Sequence, residues 1–231
     1  MNRILEVCLA GSILVAGLVA ANTAAAQTLQ KGVSVEMAMT ANATAMPEAD
    51  KADAWIIAVT AEGRLYFGAE PMTAAGLADK MMRTPRNREA KLYIKADARA
   101  PFTDVEKVLQ AGRTVWFDAP VLLTSQPEQV AAPGTIVPPR GLEVLVGAPA
   151  SAEAVVVQVL DSGETKPDVR VNGADVNVDV LQWTLGRMLQ NHNERLVVVK
   201  AAGTLQFAQV AHVIDLCRGA GVRVAIGGPE L

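Results

Sequence analysis

Few residues of this 231-residue chain have types and spacings suited to chemistry. The two histidines, His192 and His212, lie in a polar Asn-His-Asn stretch and on a predicted helix, and neither has a second histidine or a cysteine at zinc-ligand spacing. The carboxylates Asp97 and Asp104 are seven positions apart. Asp104 stands near a predicted helix start, where a negative charge stabilises the helix dipole. The sequence contains no Walker-type phosphate loop and no GxSxG nucleophile motif. These patterns predict no catalytic, metal-binding or cofactor-binding residues, and therefore a protein that is not an enzyme.

The cysteines and tryptophans are interpreted as structural residues. Cys217 occupies an apolar position of a predicted helix, where a lone cysteine is typically a small core residue. Cys8 belongs to the apolar N-terminal stretch, so a disulfide between the two is not expected. Trp55, Trp116 and Trp183 fall within or at the start of predicted elements, which indicates core or interface positions rather than a stacking platform.

The composition favours a globular protein outside the nucleic-acid-binding classes. Apolar residues make up 51% of the chain and charged residues 19%. The formal net charge is −3, the pI is near 5.5, and the sequence has no basic stretch. Because binding to nucleic acid depends on a basic surface, nucleic acid is not an expected partner.

The first residues have the pattern of a signal peptide or a weak membrane anchor, which we assign to 1–26. The apolar run 7–21 has the length of a signal-peptide core, and Ala24-x-Ala26 before Gln27 is the small-residue pattern of a cleavage site. If the run extends to Ala26, it is just long enough to cross a bilayer as a helix. We favour cleavage, and either outcome places the rest of the chain outside the cytoplasm.

The most informative feature is an internal repeat. Three pairs of segments match in the same order along the chain. They are Ile94–Val105 with Val199–Val210 at an offset of 105, Leu65–Ala69 with Val169–Gly173 at an offset of 104, and Gly32–Met37 with Gly141–Val146. This regularity predicts two tandem copies of one small module.

Each copy has the same predicted order of elements, ββαβαβ. Short apolar and β-branched runs predict the strands, and apolar residues at helical spacing predict the two helices. In the first copy Thr73 is the predicted N-cap of a helix with Leu77 and Met81 on one face, and Val115–Leu123 holds the predicted final strand.

We therefore expect an α+β fold of two tandem modules, each a mixed sheet with two helices on one face. The modules are assigned to 31–125 and 141–231, with a proline-rich linker at 126–140. Because each unit is small, we expect the copies to pack together, or each to add Gly32–Met37 or Gly141–Val146 as an extra strand.

The motifs of the first module resemble the periplasmic domain of the ExbD/TolR biopolymer transport family. The hairpin segment Ile56–Met72, IIAVTAEGRLYFGAEPM, follows the extended Lys31–Met37 and precedes Ile94–Val105 at the spacing seen in that family. The likeness covers 31–125 well and 141–231 more loosely.

The resemblance implies a place in the cell envelope. Family members sit in the inner membrane beside a channel-type partner, carry a transmembrane aspartate that takes part in proton flow, and contact protein partners through the periplasmic domain. In this chain Glu6 stands nearest to that aspartate, and we name it as the proton-relay candidate beside the alternative of an ordinary charge before a signal-peptide core.

Two functions follow from this resemblance. The first is a non-enzymatic accessory component of a proton-motive-force-driven biopolymer transport or cell-envelope system, acting through periplasmic protein–protein contacts. The alternative is a freestanding periplasmic adaptor or binding protein that has lost membrane coupling. The expected partners are envelope proteins, including a channel-type membrane protein, with membrane contact only through the N-terminal segment; a homo-oligomer stays an open alternative. The expected location is the periplasm, or the inner membrane with a periplasmic domain if 1–26 is not cleaved.

Overall fold

The structure is a computed structural model that describes residues 32–87, 89–126, 137–147 and 154–227. In this part of the chain the α-helices are α1 (Ala74–Arg83), α2 (Phe102–Thr114), α3 (Leu181–Met188) and α4 (Phe207–Gly219). Short 3-10 helices lie at Pro47–Asp50 and Val178–Val180. The strands of the first half are β1 (Thr44–Ala45), β2 (Trp55–Val59), β3 (Leu65–Phe67), β4 (Glu70–Met72), β5 (Leu92–Ala96) and β6 (Val121–Thr124). They are followed by β7 (Arg140–Glu143), β8 (Leu145–Val146), β9 (Val155–Leu160), β10 (Asp168–Val171), β11 (Ala174–Val176), β12 (Leu196–Ala201) and β13 (Arg223–Ile226).

The strands form two mixed sheets with the same internal order. The first sheet runs β1-β7-β6-β5-β2-β3-β4 and the second runs β11-β10-β9-β12-β13-β8. In each sheet a central strand, β2 or β9, pairs antiparallel with the hairpin strand that follows it and parallel with the strand that follows the first helix. The five strands β6-β5-β2-β3-β4 of the first sheet therefore correspond, one by one, to the strands β13-β12-β9-β10-β11 of the second. The predicted α+β class with mixed sheets is confirmed.

Equivalent residues of the two halves occupy equivalent rungs of their ladders. Ile57 is opposite Ile94 in the first sheet, and Val157 is opposite Val199 in the second. Ile94 and Val199 are 105 positions apart, which is the offset of the sequence repeat. Sequence repeat and strand register therefore agree in the central strands.

The helices of each half cover one face of its sheet, as predicted. Helix α1 begins after Thr73, whose hydroxyl oxygen accepts a hydrogen bond of 3.1 Å from the backbone N–H of Gly76, so the predicted N-cap is confirmed. Leu77 and Met81, one turn apart, point from α1 into the core. The equivalent Leu181 and Leu185 do the same from α3.

The second helix of each half begins with a phenylalanine. Phe102 of α2 and Phe207 of α4 are fully buried in the main core, together with Val105 and Val210 one turn later. One continuous core cluster contains residues of both halves. Packing of the two halves on each other, one of the two sequence expectations, is therefore observed.

Strands β7 and β8 connect the two sheets within one short segment. Leu142 of β7 pairs antiparallel with Leu122 of β6, which belongs to the first sheet. Val146 of β8 pairs parallel with Ile226 of β13, which belongs to the second sheet. Gly141–Val146, which was expected to add a strand to one module, therefore contributes to both sheets. The buried Val144 lies between the two strands.

Other details differ from the sequence expectations. The order of each half is βββαβαβ rather than ββαβαβ, because the chain turns after β3 and β10 and returns as the short edge strands β4 and β11. The strand expected from Val115 begins at Val121, because α2 continues to Thr114. Gly32–Met37 forms no named strand and makes one isolated bridge, Met37 with Asp97, so it is not the structural counterpart of Gly141–Val146. An alternating apolar pattern is common to extended segments, which explains how the two resemble each other in sequence.

Candidate functional site

The segment 36–45, which we call the strap, crosses the carboxyl ends of strands in the first sheet. The backbone N–H of Ala98 donates to the Glu36 carbonyl at 2.6 Å, just beyond the end of β5. Ser125, just beyond β6, donates to the Ala38 carbonyl at 2.9 Å and accepts from Thr40 at 2.9 Å. The strap then ends in β1, which pairs with β7. It is an extended segment hydrogen-bonded to three strand ends in succession.

A buried carboxylate, Asp97, holds the start of the strap. Asp97 is 4% exposed and accepts hydrogen bonds from the backbone N–H of Glu36 at 3.1 Å and from that of Arg99 at 3.1 Å. The Arg99 guanidinium adds a bond from Nε at 3.0 Å. The side-chain hydrogen bond from Arg99 is the main reason why the pKa of Asp97 lies below its ordinary value, although burial opposes the shift. Asp97 is therefore an ionised structural anchor.

A second buried carboxylate, Asp215 of α4, holds the middle of the strap from the other half of the molecule. Asp215 is 3% exposed, and its two carboxylate oxygens accept from the backbone N–H of Ala41 at 2.9 Å and of Asn42 at 2.7 Å. The Asn42 side-chain amide also donates to the Asp215 carbonyl at 3.1 Å. The strap therefore ties the N-terminal part of the first half to the last helix of the second.

The two halves also meet in a short antiparallel ladder between 98–103 and 203–208. Phe102 N–H donates to the Leu205 carbonyl and Phe207 N–H donates to the Ala100 carbonyl, both at 2.8 Å. Thr103 donates to the Gly203 carbonyl at 3.1 Å and Ala208 donates to the Ala98 carbonyl at 2.8 Å. Adding 105 to the residue number from the first half and subtracting 105 from that of the second half turns the first of these four bonds into the second, and the third into the fourth. The same operation leaves the bridge between Pro101 and Gln206 unchanged. The contact is thus self-complementary about a local two-fold axis at that bridge.

Open clefts lie at equivalent places beside the two hairpins. A cleft of about 370 Å³ beside β3 and β4 is lined by Thr73 and Lys107, among others. A cleft of about 520 Å³ beside β10 and β11 is lined by Asn177 and Arg170, among others. Thr73 and Asn177 are the equivalent capping residues of their helices, and Lys107 and Arg170 are paired with neighbouring carboxylates. The clefts border β4 and β11, the last strands of their sheets.

The residues considered for chemistry are dispersed. His192 is exposed in the loop after α3, and His212 is exposed on α4. Asp104 lies in the first turn of α2 and pairs with Lys107 at 2.7 Å, whereas Asp97 serves the strap. Burial raises the pKa of the Cys217 thiol to about 12, which agrees with its interpretation as a core residue. Across the described ranges, no group of three or more histidine, cysteine, aspartate or glutamate side chains could hold a metal ion.

The tryptophans divide into two classes. Trp55 is buried and packs edge-on against Phe67 with ring centroids 5.3 Å apart, so its predicted core position is confirmed. Trp116 is 80% exposed and Trp183 is 64% exposed. The sequence placed all three alike, because an aromatic at an element boundary has the same local pattern whether it faces the core or solvent.

Asp215 is the functional side chain that sequence reasoning missed. Its only local signal is a carboxylate directly after Val213 and Ile214 on an otherwise apolar helix face. Glu6 and Cys8 lie outside the described residues. Where the chain is described, none of its helices has the length and apolar character needed to cross a bilayer.

Comparison with known proteins adds one match. The sequence profile of the family described as biopolymer transport protein ExbD/TolR matches residues 13–128, which is half of the chain. The matched range contains the strap and the first half through β6. No curated protein matches the sequence.

Proposed function

Because the chain belongs to the ExbD/TolR family of biopolymer transport proteins, we propose that it is a non-enzymatic accessory component of a proton-motive-force-driven transport or cell-envelope system. The observation that carries this proposal is the family match over 13–128. Members of the family are inner-membrane proteins with a periplasmic domain, and they act in transport without being enzymes. In this proposal the described part of the chain acts in the periplasm through contacts with protein partners of the envelope.

The surfaces proposed for these contacts are the outer edges of the sheets. Strands β4 and β11 end their sheets among the described residues, and an edge strand presents backbone N–H and C=O groups that an extended peptide can pair with. In both strands two of the three residues are exposed. The clefts beside these strands offer room for side chains of such a peptide.

We further propose that the second half, 141–231, is a second copy of the family module joined to the first by the linker 126–140. Identical strand order, the repeat offset of 105 and the self-complementary ladder around Pro101 and Gln206 support this. The pairing of β7 with β6 means that the second copy contributes a strand to the sheet of the first. A duplicated chain would present two edge strands, β4 and β11, to its partners.

The role of residues 1–26 separates the two candidate functions. As a retained anchor, this segment keeps Glu6 in place as the candidate proton carrier beside a channel-type partner. The alternative, a freestanding periplasmic adaptor, is favoured by Ala24-x-Ala26 before Gln27, since cleavage there removes Glu6.

The test is to determine the N-terminus of the protein exported by its native cells and the fraction in which it is found. The transport proposal predicts an intact N-terminus, recovery with the inner membrane, co-purification with a multi-spanning membrane protein, and loss of transport in Glu6→Gln. Glu36→Gln, an exposed carboxylate of the strap, is the matched control and should leave transport unchanged. A chain that begins at Gln27 and is recovered free in the periplasm would contradict the transport proposal and support the adaptor.

A further inference from the structure

The two edge strands proposed for partner contacts differ at their middle residue. The middle residue of β4 is Pro71, and that of β11 is Asp175. Pro71 is opposite Tyr66 of β3, and Asp175 is opposite Arg170 of β10. The two residues are 104 positions apart and hold equivalent places in their hairpins. The effect of the proline depends on the direction in which its backbone nitrogen points.

The hydrogen bonds between β2 and β3 fix this direction for Pro71. Gly68 N–H donates to the carbonyl of Ile56 at 3.0 Å, and the register of the two strands places these residues opposite each other. In an antiparallel ladder, hydrogen-bonded and non-bonded pairs alternate. Tyr66 therefore also directs its backbone groups towards β2 and makes no backbone hydrogen bond to Pro71. The backbone nitrogen and carbonyl of Pro71 point away from the sheet.

The backbone of Asp175 has the same orientation in β11. Asn172 N–H donates to the carbonyl of Val156 at 2.9 Å, and these residues are opposite each other in the register of β9 and β10. Arg170 therefore directs its backbone groups towards β9, and Asp175 directs its N–H and C=O outwards. Within the described part of the chain, neither of these two groups of Asp175 has a hydrogen-bond partner.

The two edges therefore differ as templates for an added strand. Asp175 offers one donor and one acceptor, which a single residue of an antiparallel partner strand can pair with through two hydrogen bonds. Pro71 has no N–H, and its ring lies on the side from which a partner strand would approach. Proline on an edge strand is one of the features that prevent strand pairing in natural sheets. Strand β11 is thus open to a ladder that β4 cannot complete.

The cleft beside β11 indicates the kind of segment that fits this edge. It has a volume of about 520 Å³, and Val169, Val176 and Val178 are among the residues that line it. Val176 is half-buried and packs against the main core. Because successive side chains of a strand point to opposite faces, every second residue of an added strand would lie on the Val176 side. An extended segment with alternating apolar and polar residues therefore fits.

A second copy of the chain fits this edge less well. Pairing of two copies at β11 would join strands of only three residues each. Such a ladder alone buries far less than the roughly 1,200 Å² of surface that a stable protein interface needs. An extended segment of another protein can pair with β11 and also continue along the cleft.

We propose that β11 is the docking edge for an extended segment of a protein partner, which adds to the second sheet beside Asp175 and places apolar side chains at Val176 and the cleft. Main-chain hydrogen bonds supply the affinity in this mode of recognition, and the pockets for alternate side chains supply the specificity. Strand β4 is left for contacts that need no strand pairing. The inference rests on the proposed function, because it specifies which of the two edges engages the partner.

The probe is a phage-displayed library of random peptides, selected on the full chain in detergent micelles. We expect the selected peptides to alternate apolar and polar residues and to bind one per chain. A bound peptide should slow hydrogen exchange of the Asp175 amide, measured by NMR. N-methylation of a peptide amide that faces β11 should abolish binding, whereas N-methylation of the next amide should not, because only alternate amides face the edge.

Three variants test the edge itself. Asp175→Pro removes the outward donor and should weaken binding about tenfold or more. Because β4 contains proline at the equivalent place, this variant should fold as the wild type does, which circular dichroism checks. The matched control Asp175→Asn keeps the N–H and loses only an exposed ion pair with Arg170, so its affinity should stay within about threefold. Pro71→Ala restores the donor of β4 and should allow a second peptide to bind.

Several outcomes would overturn the proposal. They are a library that yields no binding peptide, equal binding to Asp175→Pro and to the wild type, and two peptides bound per wild-type chain. A dimer of the chain that Asp175→Pro abolishes would identify a second copy as the occupant instead. The proposed function fails separately, since a chain that begins at Gln27 and is free in the periplasm can still bind peptides at β11.

Discussion

In the first half the helix-free face of the sheet is covered and largely apolar, whereas the equivalent face of the second half combines a smaller buried apolar cluster with polar side chains. Ile56, Tyr93 and Leu123 of the first sheet lie under the 3-10 helix residue Ala49 and the strap residue Met37. Three equivalent positions on this face are Ala58, Lys95 and Tyr66 in the first sheet, and Gln158, Lys200 and Arg170 in the second. Ala58 and Lys95 are buried, whereas Gln158 and Lys200 are only half-buried and Arg170 is exposed.

One strand order therefore serves two structural roles in this molecule. The first half receives the strap and buries both faces of its central strands, and this includes the burial of a lysine. The second half supplies Asp215 to the strap and has polar residues beside a small buried cluster on its own helix-free face. Each prediction below tests one of these equivalences or differences.

The largest effect is expected where the halves are most alike. Phe102→Ala and Phe207→Ala each remove a fully buried ring beside the junction ladder and should lower the free energy of unfolding by about 3–5 kcal/mol. Since both rings belong to one continuous core, both variants should show a single unfolding transition in urea, followed by circular dichroism. Two separate transitions in either variant would show that the halves fold independently.

Asp97 should make the stability of the first half decrease at acid pH. Its counterpart in the second half, Ala202, has no titratable side chain and cannot have this effect. The folded pKa of Asp97 is lowered, so the unfolded chain takes up the proton first as the pH falls. Its stabilising contribution is therefore present above the unfolded pKa of about 4 and is lost as the pH falls through the lower folded value.

The corresponding variant is Asp97→Asn, which should cost about 2–3 kcal/mol at neutral pH because it weakens charge-assisted hydrogen bonds in a buried place. Urea unfolding at several pH values should show the difference from the wild type shrinking towards acid. A difference that is constant with pH would contradict the assigned role.

Asp215→Ala tests the strap from the second half. It leaves the N–H groups of Ala41 and Asn42 without their acceptor and should cost about 1–3 kcal/mol. Hydrogen exchange should become faster in the strap than in β9 or β12. The matched control is Gln110→Ala at the half-buried equivalent position on α2, for which we expect less than about 0.5 kcal/mol and unchanged exchange in the strap.

Lys95→Met should stabilise the protein on the order of 1 kcal/mol at neutral pH, because it replaces a buried cation with an apolar side chain of similar length. Burial lowers the pKa of Lys95, so the unfolded chain binds the proton more tightly and the wild type should gain stability as the pH rises through the folded pKa. Lys200→Met, at the half-buried equivalent, should change stability less. Thermal unfolding of both variants at neutral and alkaline pH measures the difference.

The smallest effect concerns the two helix ends, where Trp116 and its equivalent Gly221 have φ values of +68° and +72°. Trp116→Gly should raise the free energy of unfolding by about 0.5–1 kcal/mol, since glycine removes the strain of the left-handed conformation. Gly221→Ala, the reciprocal change, should lower it by about 1 kcal/mol. A clearly destabilising effect of Trp116→Gly would show that the indole makes stabilising contacts within the fold.

Much of the fold could be predicted from local patterns. Apolar residues at helical spacing, such as Leu77 and Met81, placed α1 correctly, and Thr73 marked its start. The offset of 105 between Ile94 and Val199 anticipated the common register of the central strands. Short edge strands such as β4 were missed because three residues with a proline carry little periodic signal.

The candidate site could be predicted far less well. Glu6 followed from resemblance and lies outside the described residues, so it remains a prediction. The bonds from Asp215 to Ala41 and Asn42 span more than 170 positions of sequence, and no local pattern indicates such a contact.

The sequence by itself determined the fold class, most element types and the family, and it predicted the repeat, because periodicity, capping and motif spacing are local properties of the chain. Only the tertiary structure decided that β7 and β8 join different sheets, that Asp97 and Asp215 hold one strap, and that Trp116 stands where the other half has Gly221. These features depend on which residues distant in the sequence come into contact in the fold, and on the backbone angles that those contacts impose. Local sequence patterns determine neither the contacts nor the angles.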